Sequence, residues 1–504
     1  MVEARLASPP GFANLEYITK PELVDEALAF PETLAVDLAH VTMLSEKGIL
    51  TSQTGATLLQ ALLDIEKDGR DALPVEPARG SYLLQIEHEL ARRVGADAAG
   101  RVHTGRSRND WSGAISRLFA RNRLLTTVAD LCAVQDTLIA LAAEHVETYM
   151  PGYTHLQHAQ PITLAHYLLR HHFVFERDLQ RLEGAFARTN LSALGGAALA
   201  GTSWPLDRNR VADLLGHEGL VENAIDTGVF TRDYPVENIG VLALAMTNAG
   251  NLASDMYLWS TWEFGFVEVA DELAGTSSIM PQKKNPHVFE RIRGLSGRAI
   301  GWVPATMGMT RAASSSDLDL YWGGDLMPSA ALDTHFALRL LDEGLAKSRF
   351  RTDLMRERAG IDWSTATYLT DEIARTQDLP FRVAHQIVGR FVRVMNEKGL
   401  GMEQASSTLL DQAATEITGS PLSLGDEFVT KSLQVEVAVK GLITRGSAHP
   451  DQGRAMVATG RELQSRHRAW LETKTALVAG ARSELEGAIA SLVAAAGTAP
   501  AIAP

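Results

Sequence analysis

Apolar residues recur at helical spacing along most of the chain, and some of the resulting segments are unusually long. The stretch 111–150 contains no proline and a single glycine, Gly113. Its apolar positions keep a helical period at Leu124, Val128, Leu131, Leu138 and Leu141. At 1.5 Å per residue this stretch predicts a helix of roughly 50 Å, a length typical of helix bundles.

Other helical runs flank this segment on both sides. Long runs follow it at 164–194, 234–268 and 288–309. Shorter helices are predicted before it at 52–69 and 82–94, because glycines and a capping threonine punctuate the pattern there.

The chain lacks a convincing alternating strand pattern, so the predicted fold class is all-α. We divide the chain into an N-terminal helical domain (1–110), a central bundle of long helices (111–363) and a C-terminal domain of shorter helices (364–504). The Ala/Pro-rich end of the last domain, from Ala494 onward, is predicted to be a disordered tail.

Composition narrows the class of protein. At 504 residues and 45% hydrophobic content, the chain is long enough for two or three folded domains. The net charge of −14 makes nucleic acid an improbable partner. A single cysteine, Cys132, rules out an internal disulfide framework, and its apolar surroundings predict a small buried side chain. Neither a signal peptide nor a membrane-spanning run is evident, so we expect a cytoplasmic enzyme.

The first polar cluster, 103–110 (HTGRSRND), stands immediately before the longest helix. Its two arginines lie at a helix N-terminus, where the helix dipole and the guanidinium groups both attract an anion. A capped and solvated helix start explains the same residues equally well when the segment is considered alone.

The second polar cluster, 152–157 (GYTHLQ), follows the break that Pro151 makes between two long helices. A lone histidine in such a place is usually structural. Here two histidines, a threonine and two glutamines lie between the helices, which favours a polar cluster at one end of the bundle.

The third cluster, 275–286 (GTSSIMPQKKNP), combines small residues, two adjacent hydroxyls and two lysines. It predicts a loop that closes over an anion, with free main-chain N–H groups and the cationic Lys283. Taken alone, an ordinary surface turn fits it too, because turns are rich in these residue types.

Together, and in this order, the three clusters resemble the active-site motifs of the fumarase/aspartase superfamily, in its argininosuccinate lyase branch. The resemblance runs from about residue 22 to about residue 485. It implies a five-helix central bundle, four of which form a twenty-helix core in a homotetramer. It also implies active sites built from three subunits, and a reaction that releases fumarate by breaking a carbon–nitrogen bond beside a succinyl unit.

The resemblance also implies roles for individual residues. Ser277 matches the general base, Lys283 and Asn285 match the groups that stabilise the doubly charged carboxylate, and His155 matches a histidine paired with Glu290. The implied substrate-binding residues are Ser107, Arg108, Asn109, Thr154, Gln157, Ser278 and Met280, with Tyr321 as a candidate for the amine pocket. The residues predict neither a metal ion nor an organic cofactor; the histidines near 155–172 lack a matching set of metal ligands.

Two stretches depart from the branch. The first is 80–83, ahead of Glu87, and the second is 314–325, where a recognition lysine of the branch has no equivalent. Because each charge-assisted hydrogen bond contributes roughly 1.5–3 kcal/mol, we favour an N-succinyl amine other than argininosuccinate, such as the aminopolycarboxylate ethylenediamine-N,N'-disuccinate. The alternatives are an argininosuccinate lyase with displaced recognition residues and an inactive structural protein related to lens crystallins.

Overall fold

Helices form most of the chain in the computed structural model, which describes residues 8–228, 231, 233–311 and 326–498. The N-terminal helices are α1 (Phe12–Asn14), α2 (Lys20–Glu26), α3 (Phe30–Glu46), α4 (Ser52–Asp68), α5 (Tyr82–Val94) and α6 (Ala96–Gly100). A π turn (Leu15–Thr19) and a 3₁₀ turn (Ala27–Ala29) join α1 to α3. The predicted boundaries of α4 and α5 are confirmed within a residue, since Thr51 Oγ1 caps α4 and glycines end both helices.

The central helices are α7 (Arg108–Glu144), α8 (Leu164–Thr189), α9 (Arg208–Leu215), α10 (Asp233–Trp259), α11 (His287–Ala299), α12 (Trp302–Thr310) and α13 (Leu326–Lys347). The long ones share a single hydrophobic core, in which α7, α8, α10, α11 and α13 each contribute fully buried side chains, among them Leu124, Leu168, Leu242, Ile292 and Leu338. This confirms the predicted bundle. Its helices pack because each has an apolar face wide enough to meet several neighbours.

Two long helices are shorter than predicted. The run expected to reach residue 268 ends at Trp259, and the chain then turns through Gly265, whose φ of 65° favours glycine. The run expected at 288–309 is split between α11 and α12 at Ile300 and Gly301.

Short strands modify the all-helical expectation at one end of the bundle. Strands β1 (Tyr149–Thr154) and β2 (Gln157–Thr163) form an antiparallel hairpin in which Thr154 faces Gln157. Two further antiparallel pairs form later in the chain: β3 (Val267–Glu268) with β6 (Arg349–Phe350), and β4 (Gly275–Thr276) with β5 (Lys284–Asn285). The all-α class stands, but the polar cluster at 152–157 is a hairpin and not a simple loop.

The C-terminal helices are α14 (Thr352–Ala359), α15 (Ala366–Thr376), α16 (Phe381–Glu397), α17 (Ser407–Thr418), α18 (Asp426–Ser432), α19 (Val435–Lys440) and α20 (Pro450–Thr498). Helices α15 to α18 bury a small core of their own. Helix α20 has 49 residues, whereas the sequence predicts only short helices after residue 363. It continues through Ala494, where we expected the disordered tail to begin; the division into three domains stays a prediction.

Helix α20 runs back along the whole bundle. Near its start Gly453 lies beside Val146, and near its end Arg482 donates to Glu66 in α4 at 2.8 and 2.9 Å. Its last turns place Leu485 and Ile489 in the core of the N-terminal helices. The helix therefore spans both ends of the bundle: the arginine end, around residues 106–110, and the hairpin end, around β1 and β2.

Two helical stretches, Phe12–Glu46 and Arg108–Glu144, pass a length and composition test for membrane spans, although the sequence analysis expected none. Their most apolar windows are 72% and 61% buried inside the protein. Burial in the core accounts for their apolar composition.

Candidate active site

At the arginine end, a capping box fixes where α7 begins. Ser107 N donates to Asp110 Oδ1 at 2.8 Å, and Ser107 Oγ accepts from Asn109 N at 3.3 Å. The other carboxylate oxygen of Asp110 accepts from Gly195 N at 2.8 Å and from Ala197 N at 3.0 Å. Burial raises the pKa of the Asp110 carboxyl. One side chain thus ties the start of α7 to the segment 195–197, which follows α8.

Beneath this cap lies a buried ion pair. Arg106 Nη1 lies 2.5 Å from Asp37 Oδ1, and Trp111 Nε1 donates to the same oxygen at 3.0 Å. Both charged side chains are almost fully buried, and Asp37 Oδ2 has no partner among the described residues. Asp37 therefore holds the chain on both sides of Ser107.

The candidate substrate-binding residues Arg108 and Asn109 are the first two residues of α7 and follow this cap directly. Arg108 Nη1 lies 3.8 Å from Glu22 Oε1, and Asn109 Nδ2 donates to Ala198 O at 3.3 Å. Their side chains are thereby oriented on the first turn of α7, where the helix dipole adds a favourable field for an anion.

At the hairpin end, the β1–β2 turn presents the second set of candidates. His155 and Leu156 occupy its two central positions with φ of 55° and 57°, as a type I′ turn requires. Thr154, His155 and Gln157 are exposed at the tip. Directly below the tip, Tyr153 pairs with His158 and packs against Phe264, and burial raises the pKa of Tyr153 to about 12.

The third set lies on the loop between β4 and β5. Ser277 Oγ accepts from two main-chain donors, Ile279 N at 3.3 Å and Met280 N at 3.0 Å. At the start of the loop a Cβ on Gly275 would fall 1.7 Å from the His287 ring, so a larger residue here would have to displace that exposed ring. The loop thus surrounds a half-buried serine oxygen with N–H groups, while Ser278 is exposed beside it.

The two lysines of this loop are not equivalent. Lys284 Nζ lies 2.5 Å from Asp271 Oδ1, in an exposed ion pair. Lys283, Asn285 and Arg351 line an open cleft of about 510 Å³, which Met280 also borders. Lys284 lines the same cleft, so both lysines face a space wide enough for a small substrate, and they differ in that Lys284 is held by Asp271.

Within one subunit these sets of candidates are only partly brought together. Ser277, Ser278, Met280, Lys283, Asn285 and Glu290 lie on one loop and the first turn of the helix after it. The 37-residue helix α7 spans about 55 Å and separates Ser107, Arg108 and Asn109 from the hairpin. In the described ranges His155 and Glu290 share no hydrogen bond or ion pair, and Tyr321 lies outside those ranges.

Two positioning residues escaped the sequence analysis. Asp110 carries a detectable signal, since an acidic residue three positions after a capping serine is the capping-box pattern. Asp37 carries none, because its contacts with Arg106 and Trp111 join residues 69 and 74 positions apart.

Elsewhere, Cys132 is buried as predicted, and burial raises the pKa of its thiol to about 11. The described part of the chain contains no group of three or more His, Cys, Asp or Glu side chains placed to hold a metal ion.

The sequence and the structure of this chain are both similar to those of known proteins. A lyase family model matches residues 32–301, and a model of the argininosuccinate lyase C-terminal region matches residues 363–440. The argininosuccinate lyase of Methanococcoides burtonii is 36% identical over 91% of this chain and 92% of its own. The argininosuccinate lyase of Methanocorpusculum labreanum is 37% identical over 86% of this chain and 87% of its own. The structure of an EDDS lyase in complex with formate has a TM-score of 0.86 and 31% identity, covering 99% of both chains.

Proposed function

This chain belongs to the argininosuccinate lyase branch of the fumarase/aspartase superfamily and is a fumarate-releasing carbon–nitrogen lyase; from that premise we propose that its substrate is an N-substituted aspartate, preferably an aminopolycarboxylate such as ethylenediamine-N,N'-disuccinate. The base would remove a proton from the carbon next to one carboxylate. The electron pair of the C–H bond then forms the double bond of fumarate, and the C–N electron pair leaves with the amine, which takes up a proton.

The observation that carries this proposal is the environment of Ser277. A serine hydroxyl is a poor base unless its alkoxide is stabilised, and two N–H donors on Ser277 Oγ supply such stabilisation. Lys283 and Asn285 border the adjoining cleft, so they would face the negative charge that develops on the carboxylate. His155 and Glu290 are proposed to act as a pair on the side of the leaving amine.

Two lines of support bear on the amine. The EDDS lyase structure matches this chain along 99% of its length, and the branch's recognition lysine is missing from 314–325. Both observations favour an aminopolycarboxylate as the substrate. The second candidate is argininosuccinate, favoured by relatives of that name that are 36–37% identical to this chain.

We further propose a cytoplasmic homotetramer whose active sites combine residues from three subunits. The candidate residues of one subunit lie at opposite ends of α7, so a complete site needs more than one copy. The outer face of α11 and α12 offers a route to close packing: a Cβ on Gly294, Gly297 or Gly308 would meet nothing within 4 Å. Large apolar side chains are exposed beside it, among them Ile300, Met307, Leu332 and Phe336.

A parallel assay tests the substrate. Fumarate release is followed by ultraviolet absorbance with ethylenediamine disuccinate and argininosuccinate at equal concentrations. We expect kcat/KM to favour ethylenediamine disuccinate by about tenfold or more, the equivalent of one lost charge-assisted contact. Turnover of argininosuccinate alone would contradict the substrate preference, and turnover of neither compound, or of any other N-succinyl amine, would contradict the proposed class of substrate.

A further inference from the structure

The chain makes a tight turn directly before the candidate substrate-binding residues Ser107, Arg108 and Asn109. Arg106 N donates to His103 O at 3.3 Å, which closes a four-residue β-turn over residues 103–106. Ser107, the residue after the turn, caps α7, and α7 begins at Arg108. The direction in which the first turn of α7 presents its side chains therefore depends on the shape of this β-turn.

The backbone angles of the two central residues are those of a type II turn. Thr104 has a φ of −57° and a ψ of 120°, and Gly105 has a φ of 76°. Type I and type II turns differ by about 150° in ψ of the first central residue and by about 170° in φ of the second. The peptide between Thr104 and Gly105 is therefore turned over from one form to the other. Glycine tolerates both forms, so Gly105 alone does not decide between them.

A buried histidine holds this peptide in the type II orientation. His40, on α3, is fully buried, and its Nε2 lies 3.0 Å from Thr104 O. A carbonyl oxygen can only accept, so Nε2 carries the proton and donates to Thr104 O. Burial, and after it the charge of Arg106, lowers the pKa of the His40 ring well below its usual value, which keeps the ring neutral in this tautomer. The opposite orientation of the peptide would lose this hydrogen bond.

The two ends of the turn are held by other side chains of the N-terminal helices. His103 Nδ1 lies 2.8 Å from Glu87 Oε1 on α5, and Arg106 Nη1 lies 2.5 Å from Asp37 Oδ1 on α3. Asp37 and His40 are three positions apart on α3, so they face the turn from one side of that helix. The first two contacts fix the ends of the turn, and His40 fixes the peptide at its centre.

From this geometry we infer that His40 is a positioning residue of the active site: by holding Thr104 O it fixes the type II form of the turn, and thereby the direction in which the start of α7 faces the carboxylates of the substrate. The inference rests on the proposed function, because it takes Ser107, Arg108 and Asn109 as residues that bind those carboxylates. His40 is itself fully buried, so it acts on the substrate through the turn and not by contact.

The test compares two substitutions of His40. His40→Leu removes the donor to Thr104 O, so we expect KM and the Kd for fumarate to rise by about tenfold. The value of kcat should change by less than about threefold, because carboxylate binding is weakened in the ground state and in the transition state alike. His40→Gln places an amide N–H group near the position of Nε2, so both constants should return to within about threefold of the wild type. Steady-state kinetics with the N-succinyl amine that is cleaved fastest, and calorimetric titration of fumarate, provide the measurements.

The matched control is His172→Leu, which removes an equally buried histidine from α8 and should leave KM and the Kd for fumarate unchanged. Gly105→Ala disfavours the type II form by a different route, since alanine rarely adopts a φ of 76°. It should raise KM as His40→Leu does, and it becomes the deciding variant if His40→Leu does not fold. Size-exclusion chromatography and thermal unfolding show which variants are folded.

Arg108→Ala separates this inference from the proposed function. If Arg108→Ala weakens fumarate binding and a folded His40→Leu variant does not, the role of His40 is overturned and the proposed function stands. An unchanged Kd for fumarate in Arg108→Ala overturns the proposed carboxylate-binding role of the start of α7 itself. A His40→Gln variant that is as impaired as His40→Leu, or an unchanged KM in Gly105→Ala, overturns the assignment of the effect to the turn.

Discussion

At the scale of single residues, the role we propose for Ser277 is the most demanding one, because it requires a hydroxyl group to act as a base. Ser277→Ala removes the oxygen that accepts from Ile279 N and Met280 N, while the strands β4 and β5 that carry the loop stay paired. We expect fumarate release to fall by at least about a thousandfold, with subunit assembly and Tm unchanged. Steady-state kinetics and size-exclusion chromatography measure both. A variant that keeps most of its activity removes Ser277 from the role of base.

Asp37 has a positioning role that kinetics can separate from chemistry. Asp37→Ala leaves the buried Arg106 charge without a partner, which destabilises the fold by about 3–5 kcal/mol. It also frees the chain on both sides of Ser107, so we expect KM to rise more than kcat falls. Thermal unfolding and steady-state kinetics provide the measurements.

The matched control for Asp37 is Asp71→Ala, which breaks the exposed pair with Arg70 and should leave Tm nearly unchanged. An equal loss of kcat and no change in KM for Asp37→Ala would argue against a positioning role.

Residues within a motif are easier to predict than the residues that support them. Ser277, Lys283 and Asn285 are candidates because the motif that contains them, 275–286, resembles the active-site loop of the family. The ion pair between Lys284 and Asp271 is set by the fold and has no signal in the sequence. Asp37 escapes prediction altogether, since a buried carboxylate 69 positions from its arginine has no local pattern.

At the scale of elements, the hairpin is the clearest failure of pattern reasoning. Pro151, Gly152 and Pro161 interrupt any alternation of polar and apolar residues, and a Cβ at Gly152 would lie 2.5 Å from Gln160 O in the facing strand. Strand pairing here is set by that close contact and by the positive φ of His155 and Leu156. Neither feature can be predicted from the spacing of hydrophobic residues.

The packing of α20 on α8 gives the fold a dependence on pH. His172 is fully buried beside Gly460, with both ring nitrogens unpartnered among the described residues, and burial lowers its pKa to about 4. The nearby His467, held by Glu183 and Glu176, is a second and smaller cause of this lowered pKa. The unfolded chain therefore binds a proton at higher pH than the folded chain does.

The direction of the pH effect follows from the pKa of His172, which is about 4 in the folded chain and about 6.5 in the unfolded chain. The neutral His172 contributes its full stability above about pH 6.5, and roughly 3 kcal/mol is lost as the pH falls from there to about 4. We expect the Tm of His172→Leu to fall less than the Tm of the wild type as the pH is lowered over that range. His88→Leu, at an exposed position, is the control and should follow the wild type. Identical pH profiles for wild type and His172→Leu would contradict this account.

At the scale of the whole molecule, the proposal that subunits share active sites predicts complementation between inactive variants. Arg108→Ala disables the arginine end and Ser277→Ala disables the loop, so each homotetramer should be inactive. Tetramers reassembled from a mixture contain some sites with both ends intact, and fumarate release should return. Native mass spectrometry confirms that mixed tetramers have formed. Inactive mixed tetramers would show that each site is built within one subunit.

The overall architecture is predictable because long helices with one apolar face can bury that face in few arrangements other than a bundle. The path of α20 is not, because the sequence suggests a break at Gly453 and the helix also contains glycines at 460, 480 and 487. Each costs about 1 kcal/mol in a helix interior, which burial against α7 and α8 offsets. Tertiary packing decides the length of this helix, and local propensity does not.

The reach of α20 also has a consequence for how the protein is made. The core of the N-terminal helices includes Leu34 and Leu58 but also Leu485 and Ile489. A ribosome synthesises the first two of these residues more than four hundred positions before the last two. The first helices to emerge thus present an unfinished apolar surface until translation is nearly over, a period in which exposed surface favours aggregation. Chaperone contact during synthesis is expected to concentrate on this surface, and release of the last helix closes it.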